Sequence, residues 1–458
     1  MTQQVWKKGR IMLAGMLGVV ALTMLTLWGC GGGGYDNPQS ALVTTKTATA
    51  LIQASDLKAW MDAGLVNKAG GHDRVVILDL GNATYDTVGH IPGAQSIPTG
   101  SAACMETRAE GPMNSTGNMV CTGAVMDTLI QNAGIDANTT IVMTSSGTNT
   151  INLTRPYATF RYWGFPKNRL KILQGGNAGW TAAGYALTSI VPSIQKSTYG
   201  VAQNGTTNVN TDIRASLGEM IAYVQGIVAG NANKVTILDT IRPAPVAPQI
   251  VHISGPTTDL IDTSASNFTP FDGAMKGSYR FPYANLVTPA STLNFKDAAT
   301  IKADISAAIG GDGVTTIGDA NRDATKTFIV FCRAGNAASV AYFALDGIAY
   351  YDSSVDVKWY DGSLGQWNLM ATSDRTAVNG SNAGGKLAVG SIWDTTSLMD
   401  NLTWNVDRGK GIVNYASRVY GIEPSFVEGN QIETADKAYR STVFGTSGSS
   451  SSTGGGGC

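Results

Sequence analysis

Charge is scarce in this sequence. Asp, Glu, Lys and Arg make up only 14% of its 458 residues, against roughly 25% in ordinary soluble domains. Asn, Thr, Ser and Gly must therefore carry much of the surface. The 32 basic and 33 acidic side chains leave a net charge of -1. No long basic run follows the N-terminal segment, which argues against nucleic acid as a partner. Histidine is rarer still, at three residues. His72 and His252 lack ligand-like spacing and His90 lies in a turn, so no metal site is expected. No Cys-x-x-Cys-His run occurs, so the chain itself attaches no c-type haem. DANRDATK (Asp319 to Lys326) opens like a calcium loop but lacks its Gly and terminal Glu. No cofactor is expected.

What is present is an apolar content of 43% in a chain long enough for two to three domains. Lys7, Lys8 and Arg10 precede an apolar stretch from Ile11 to Leu27, which ends in LWGC and a Gly run. The order of basic, apolar and small residues reads as a targeting segment. LWGC resembles the lipobox of bacterial lipoproteins. That resemblance implies cleavage before Cys30, lipidation of its sulfur and, with no acidic residue immediately after it, an outer-membrane anchor. An uncleaved transmembrane anchor is the other reading its length permits. Cys104 and Cys121 bracket a Gly/Asn/Ser-rich loop and are candidates for a disulfide in an oxidising compartment, the alternative being two free thiols. Cys458, after a Gly run, reads either as a tethering or exchange thiol or as part of an ordinary disordered terminus.

The remainder alternates strand and helix. VVILDL, TTIVMT and LKIL read as strands buried on both faces. Between them lie helices at Ala50 to Leu65 (after a short strand, with Ser55 as cap), in VMDTLIQNAGI and in YATFRYWGF. The order then repeats: KVTILDT answers VVILDL, KTFIVFC answers TTIVMT, and VKWYDGSLGQW answers LKILQGGNAGW. The expectation is α/β, two domains each with a mostly parallel central sheet flanked by helices, plus a C-terminal extension. The boundaries are a leader 1–29, a flexible tether 30–45, domains at 46–190 and 205–375, an extension 376–440 and a disordered Ser/Gly-rich tail 441–458.

One strand-to-helix turn carries chemistry. In FIVFCRAGNAASVAYFAL, a buried strand breaks at Cys332 and a helix follows within a few residues. A thiol there would face the amides and positive end of a helix, which favours the thiolate. Gly335 permits the tight turn and Arg333 offers a cation for an anionic donor. The corresponding turn of the first domain, Ser145 to Asn152, has no cysteine, and no base can be argued for Ser145 or Ser146.

Three segments together resemble tandem rhodanese sulfurtransferases: LDLGNATYDTVGHIPGAQSIP (Leu78 to Pro98), YDGSLGQW (Tyr360 to Trp367) and CRAGNA at the active-site loop. The resemblance implies an inactive first domain, in which His90 is structural, and an active second one. Cys332 would be the persulfide carrier, with Arg333, Ala334, Gly335, Asn336 and Ala337 as the binding loop and Asp239 and Arg242 as the strand-end pair. Ala337 stands where the family usually has Arg or Thr, Leu364 where it has Trp, and GAMKGSYRFP (Gly273 to Pro282) where it has GHIPGA. The function so implied is transfer of a sulfane sulfur from thiosulfate or a mercaptopyruvate-like donor to a thiol or cyanide. A second reading stays open: a non-catalytic lipoprotein assisting an outer-membrane complex, including one built on multihaem cytochromes. Selenium in place of sulfur at Cys332 is a third.

Overall fold

The apolar runs form strands largely where their composition places them. The computed structural model describes residues 44–69, 73–203, 209–229, 235–241, 271–289, 292–309, 327–370, 391–404 and 429–445. Its two compact units are Met1–Thr44 and Thr45–Cys458, and every element below belongs to the second. The leader, Cys30, His72, Arg242, His252, Asp319 to Lys326 and Cys458 lie outside the described residues.

The first half runs β1 (Leu51–Ile52), α1 (Ala54–Asp62), β2 (Arg74–Leu80), β3 (Ala94–Ile97), β4 (Met105–Glu110), β5 (Met113–Val120), α2 (Gly123–Asn132), β6 (Thr139–Thr144), α3 (Ile151–Tyr162), β7 (Leu170–Leu173) and α4 (Gly176–Ala182). Strands β1-β7-β6-β2-β3 form an all-parallel sheet in that order. Every residue of β2, β6 and β7 is buried, as strands covered by helices on both faces must be. Two local expectations change. Helix α1 is capped by Gln53, whose N–H donates to Asp56 Oδ2 at 2.8 Å, so Ser55 lies inside the helix. The segment between Cys104 and Cys121 is an antiparallel hairpin, β4 with β5, rather than a loop. Its polar residues hid the strands because one face is half-exposed.

The second half runs α5 (Leu217–Val228), β8 (Val235–Asp239), β9 (Phe271–Met275), β10 (Ser278–Arg280), α6 (Ala298–Ala308), β11 (Thr327–Phe331), α7 (Asn336–Phe343), β12 (Asp356–Trp359), α8 (Ser363–Trp367), β13 (Met399–Trp404) and α9 (Gln431–Gly445). Its parallel sheet has the order β10-β8-β11-β12. Read from the other edge, β12-β11-β8-β10 repeats β7-β6-β2-β3. A parallel bridge from Arg214 to Trp359 stands where the first sheet has β1.

The equivalent helices α3 and α7 meet face to face. Small residues on α7 (Ala337, Ala338, Ser339 and Ala341) are all buried and let the helices approach closely. Thr154 and Ser339 hydroxyls share a hydrogen bond of 2.9 Å, and the Tyr157 ring meets Phe343 edge-on at 4.9 Å. One apolar cluster therefore runs from Val76 and Ile141 to Val330 and Phe343. The extension is woven back into both halves. Strand β13 pairs with β9, and α9 reaches β4, where Asp436 accepts two hydrogen bonds of 2.8 Å from Arg108. That helix continues to Gly445, past the expected boundary at 440.

Candidate active site

Strand β11 lies in the middle of its sheet and ends at Phe331, so Cys332 emerges at the carboxyl edge, where parallel sheets place their sites. Neighbouring β8 sets Asp239 beside Phe331 in register. The amide and hydroxyl of Thr240 both donate to Phe331 O, at 2.9 and 2.8 Å. The strand end is thereby fixed one residue before the thiol.

Residues 333–335 form the bend and α7 begins at Asn336. Gly335 has φ of 75°, and a Cβ there would lie 2.8 Å from Asp361 Cα. Only glycine fits both constraints. No side chain caps α7, so the amides of Asn336 and Ala337, in its first turn, have no intrahelical acceptor. Ala334 precedes them in the bend.

The YDGS segment clamps this bend. Ser363 Oγ accepts the amides of Cys332 at 3.1 Å and Gly335 at 3.0 Å, and donates to Tyr360 O at 2.7 Å. In return, Leu364 N–H donates to Cys332 O and Gly365 N–H to Arg333 O, at 3.1 and 2.7 Å. Of the amides expected to face the sulfur, that of Gly335 is thus held by the Ser363 hydroxyl, as is the amide of Cys332 itself. Cys332 is 2% exposed. Arg333 is half-buried beside it.

The first half supplies a residue the sequence did not single out. Arg155 of α3 is fully buried and lies over the Trp359 ring, 4.1 Å from its centroid. Its Nη1 is 2.9 Å from where a Cβ on Gly335 would be, and its Nη2 donates to Asn118 O. Burial pushes the guanidinium down to about 10, against the opposing pull of Asp361 and of the Cys332, Cys121 and Cys104 sulfurs. The sequence carried no signal for it: the helix, INLTRPYATFRY, mixes polar and apolar residues and holds a second arginine, Arg161.

Cys104 and Cys121 flank the Met105–Val120 pair of the hairpin. Both are buried free thiols, in contact rather than joined. A hydrogen bond with Cys104, and then burial, holds the Cys121 thiol well above its ordinary range. Val120 N–H donates to Asp361 Oδ2 at 2.9 Å, and Arg214 Nε to Asp361 Oδ1 at 2.8 Å. The thiol pair and the Cys332 bend therefore stand on either side of one turn, residues 361–363.

In the first half, Ser146 Oγ donates to Asn82 Oδ1 at 2.6 Å and Ser145 Oγ accepts Gly147 N–H at 3.3 Å; neither meets a base. His90 stacks on Tyr85 at 3.7 Å, and its ring nitrogens reach the carbonyls of Tyr85 and Ile190 at 3.1 Å. No cluster of His, Cys, Asp and Glu able to hold a metal occurs among the described residues.

Residues 54–183 match the family described as Rhodanese-like domain. The chain carries a rhodanese-like domain. The α/β architecture of that stretch, a parallel sheet flanked by helices, is the rhodanese fold. Relatives include the sulfur carrier protein TtuD of Thermus thermophilus, 24% identical over 309 residues, covering 65% of this chain and 88% of that protein. A Haloferax volcanii protein provisionally named a thiosulfate sulfurtransferase is 23% identical, covering 65% and 86%. Among solved structures, the 3-mercaptopyruvate sulfotransferase SseA of Escherichia coli aligns with a TM-score of 0.46 and 20% identity, over 69% of this chain and 99% of that one.

Proposed function

We propose that the chain is a tandem rhodanese sulfurtransferase in which Cys332 carries the transferred sulfur and the first half is a non-catalytic scaffold. One observation carries the reading: a cysteine at the carboxyl end of the central strand β11, in a bend clamped by Ser363 and opening an uncapped helix. The relatives named for sulfur transfer support it. The Cys332 thiolate attacks the outer sulfur of thiosulfate. The S–S bond breaks and sulfite leaves with the electron pair, which makes a Cys332 persulfide. A thiolate or cyanide acceptor then attacks the outer sulfur and Cys332 departs as thiolate, a double displacement. The targeting segment and Cys30 support display on the outer membrane by a lipid anchor.

The test is turnover of thiosulfate and of 3-mercaptopyruvate with cyanide or a dithiol as acceptor. Sulfite or pyruvate released in ping-pong fashion, and lost in Cys332→Ser, is the expected outcome; equal rates in both proteins would refute it. The second reading, an accessory lipoprotein that keeps the fold without turnover, has one observation in its favour. Cys332 is deeply buried and two of its loop amides are spent on Ser363. A Cys332→Ser strain that matches wild type, beside a deletion strain that does not, would select it.

A further inference from the structure

Three cysteines occur among the described residues, and all three gather around one arginine. Cys104 and Cys121 flank the β4–β5 hairpin, Cys332 follows β11, and each is a buried free thiol. The Arg155 guanidinium reaches both places. Its Nη2 donates to Asn118 O, on the strand that ends beside Cys121, and its Nη1 is 2.9 Å from where a Cβ on Gly335 would lie. All three sulfurs act on its charge. Asp361 makes a second link: its Oδ2 accepts the amide of Val120, next to Cys121, at 2.9 Å, and its Cα is 2.8 Å from that same Cβ position.

The hairpin also sets the two thiols opposite each other. Met105 pairs with Val120, so Cys104 and Cys121 are the next residues along the ladder. Residues facing each other across antiparallel strands have Cα atoms about 4.5–5.5 Å apart, inside the range a disulfide accepts. The Cys104 hydrogen bond, and then burial, keep Cys121 at rest as the thiol. Cys332 is 2% exposed and the pair is fully buried. A sulfur carried on Cys332 is therefore screened from bulky acceptors, and the nucleophiles nearest to it are the chain's own thiols.

We infer that Cys104 and Cys121 are an internal dithiol acceptor for the sulfur carried by Cys332, so that the chain itself reduces sulfane sulfur to sulfide. The inference rests on the Cys332 persulfide of the proposed function and names the acceptor class. It gives the first half a part in the chemistry beyond that of a scaffold. The Cys121 sulfur attacks the outer sulfur of the Cys332 persulfide. The S–S bond breaks, Cys332 leaves as thiolate with the electron pair, and the Cys121 proton ends on the transferred sulfur. The Cys104 sulfur then attacks the inner sulfur of the Cys121 persulfide. A bond forms between Cys104 and Cys121, and hydrogen sulfide leaves with the electron pair and the Cys104 proton. The pair is oxidised by two electrons and the sulfane sulfur is reduced by two. A second round needs an external dithiol, which reopens the pair and becomes a disulfide itself.

The experiment is a single turnover without added acceptor. The full chain is reduced, freed of reductant under anaerobic conditions and mixed with a few equivalents of thiosulfate or 3-mercaptopyruvate. Free sulfide and peptide masses are followed in time. A Cys332 persulfide should appear first, followed by one sulfide per chain and a Cys104–Cys121 peptide pair lighter by two hydrogens. Cys121→Ser should hold the sulfur on Cys332, and Cys104→Ser should hold it on Cys332 or Cys121; each should cut sulfide release about tenfold or more, since exchange needs both thiols. Cys332→Ser should leave the pair reduced. The wild-type stoichiometry decides even if a serine variant does not fold. A wild-type persulfide that persists while the pair stays reduced overturns the inference and leaves sulfur transfer standing. A pair that closes equally fast in Cys332→Ser also overturns it, because the donor then oxidises the pair directly. Neither persulfide nor sulfide from the wild-type chain refutes the sulfur-transfer reading, and the internal acceptor with it.

Discussion

Ser363→Ala removes one oxygen and should disturb both the stability and the chemistry of the second half. That hydroxyl accepts two buried amides, from Cys332 and Gly335, and donates to Tyr360 O. A buried donor left without its acceptor costs about 1–3 kcal/mol, so two of them, partly relaxed, should lower the unfolding free energy by roughly 2–4 kcal/mol. The same loss frees the bend on which the sulfur is positioned, and misplacement of a reacting atom by about 1 Å can slow a reaction on the order of a hundredfold. Ser363 also has φ of 49°, so Ser363→Gly is the control. Glycine accepts that backbone region at the expense of unfolded-state entropy, and these two effects nearly offset. Urea melts and the rate of sulfur loading from thiosulfate should therefore fall alike in both variants. If Ser363→Gly behaves as wild type while Ser363→Ala does not, backbone strain is the cause and the hydroxyl clamp is wrong. If both variants load at wild-type rate, the bend does not position the sulfur.

Asp436→Ala should cost about 3–5 kcal/mol, because it strands a buried Arg108 that now makes two hydrogen bonds of 2.8 Å to that carboxylate; denaturant melts and faster proteolysis at α9 would report it. Burial raises the Glu433 carboxyl to about 7, against the pull of Arg214. Its folded value lies above its unfolded one, so its contribution is full at low pH and is lost as pH rises through about 7. Glu433→Gln should flatten that decline between pH 5 and 8; parallel pH profiles for the two proteins would contradict it. Oxidation of the full chain should close Cys104–Cys121, removing two hydrogens from the mass. The closed loop should stabilise the chain by about 3 kcal/mol relative to the reduced form, and melts that ignore reductant would refute this.

The strands were legible because their burial is total. TTIVMT and LKIL coincide with β6 and β7, since an unbroken apolar run of that length has no other place in an α/β layer. Polar strands were not legible. MNSTGNMV pairs with METRAE to form the β4–β5 hairpin, although Asn, Ser and Gly usually mark loops. The Cys332 bend could be read locally, from a strand, a cysteine and a glycine in one short run. Arg155 could not, because its nearness to Gly335 depends on α3 and α7 crossing between the halves, which no spacing encodes. The cap of α1 failed for a smaller reason: Gln53 and Asp56 form a capping box, and it outcompetes the more familiar Ser55.

The account depends most on the sulfur of Cys332 leaving its apolar surroundings long enough to react. The decisive measurement is the intact mass and peptide map of the purified chain after brief exposure to thiosulfate or 3-mercaptopyruvate. A single extra sulfur on the Cys332 peptide, removed by cyanide and missing from Cys332→Ser, is the predicted result. An unchanged Cys332 peptide in a folded chain, with either donor, would contradict it.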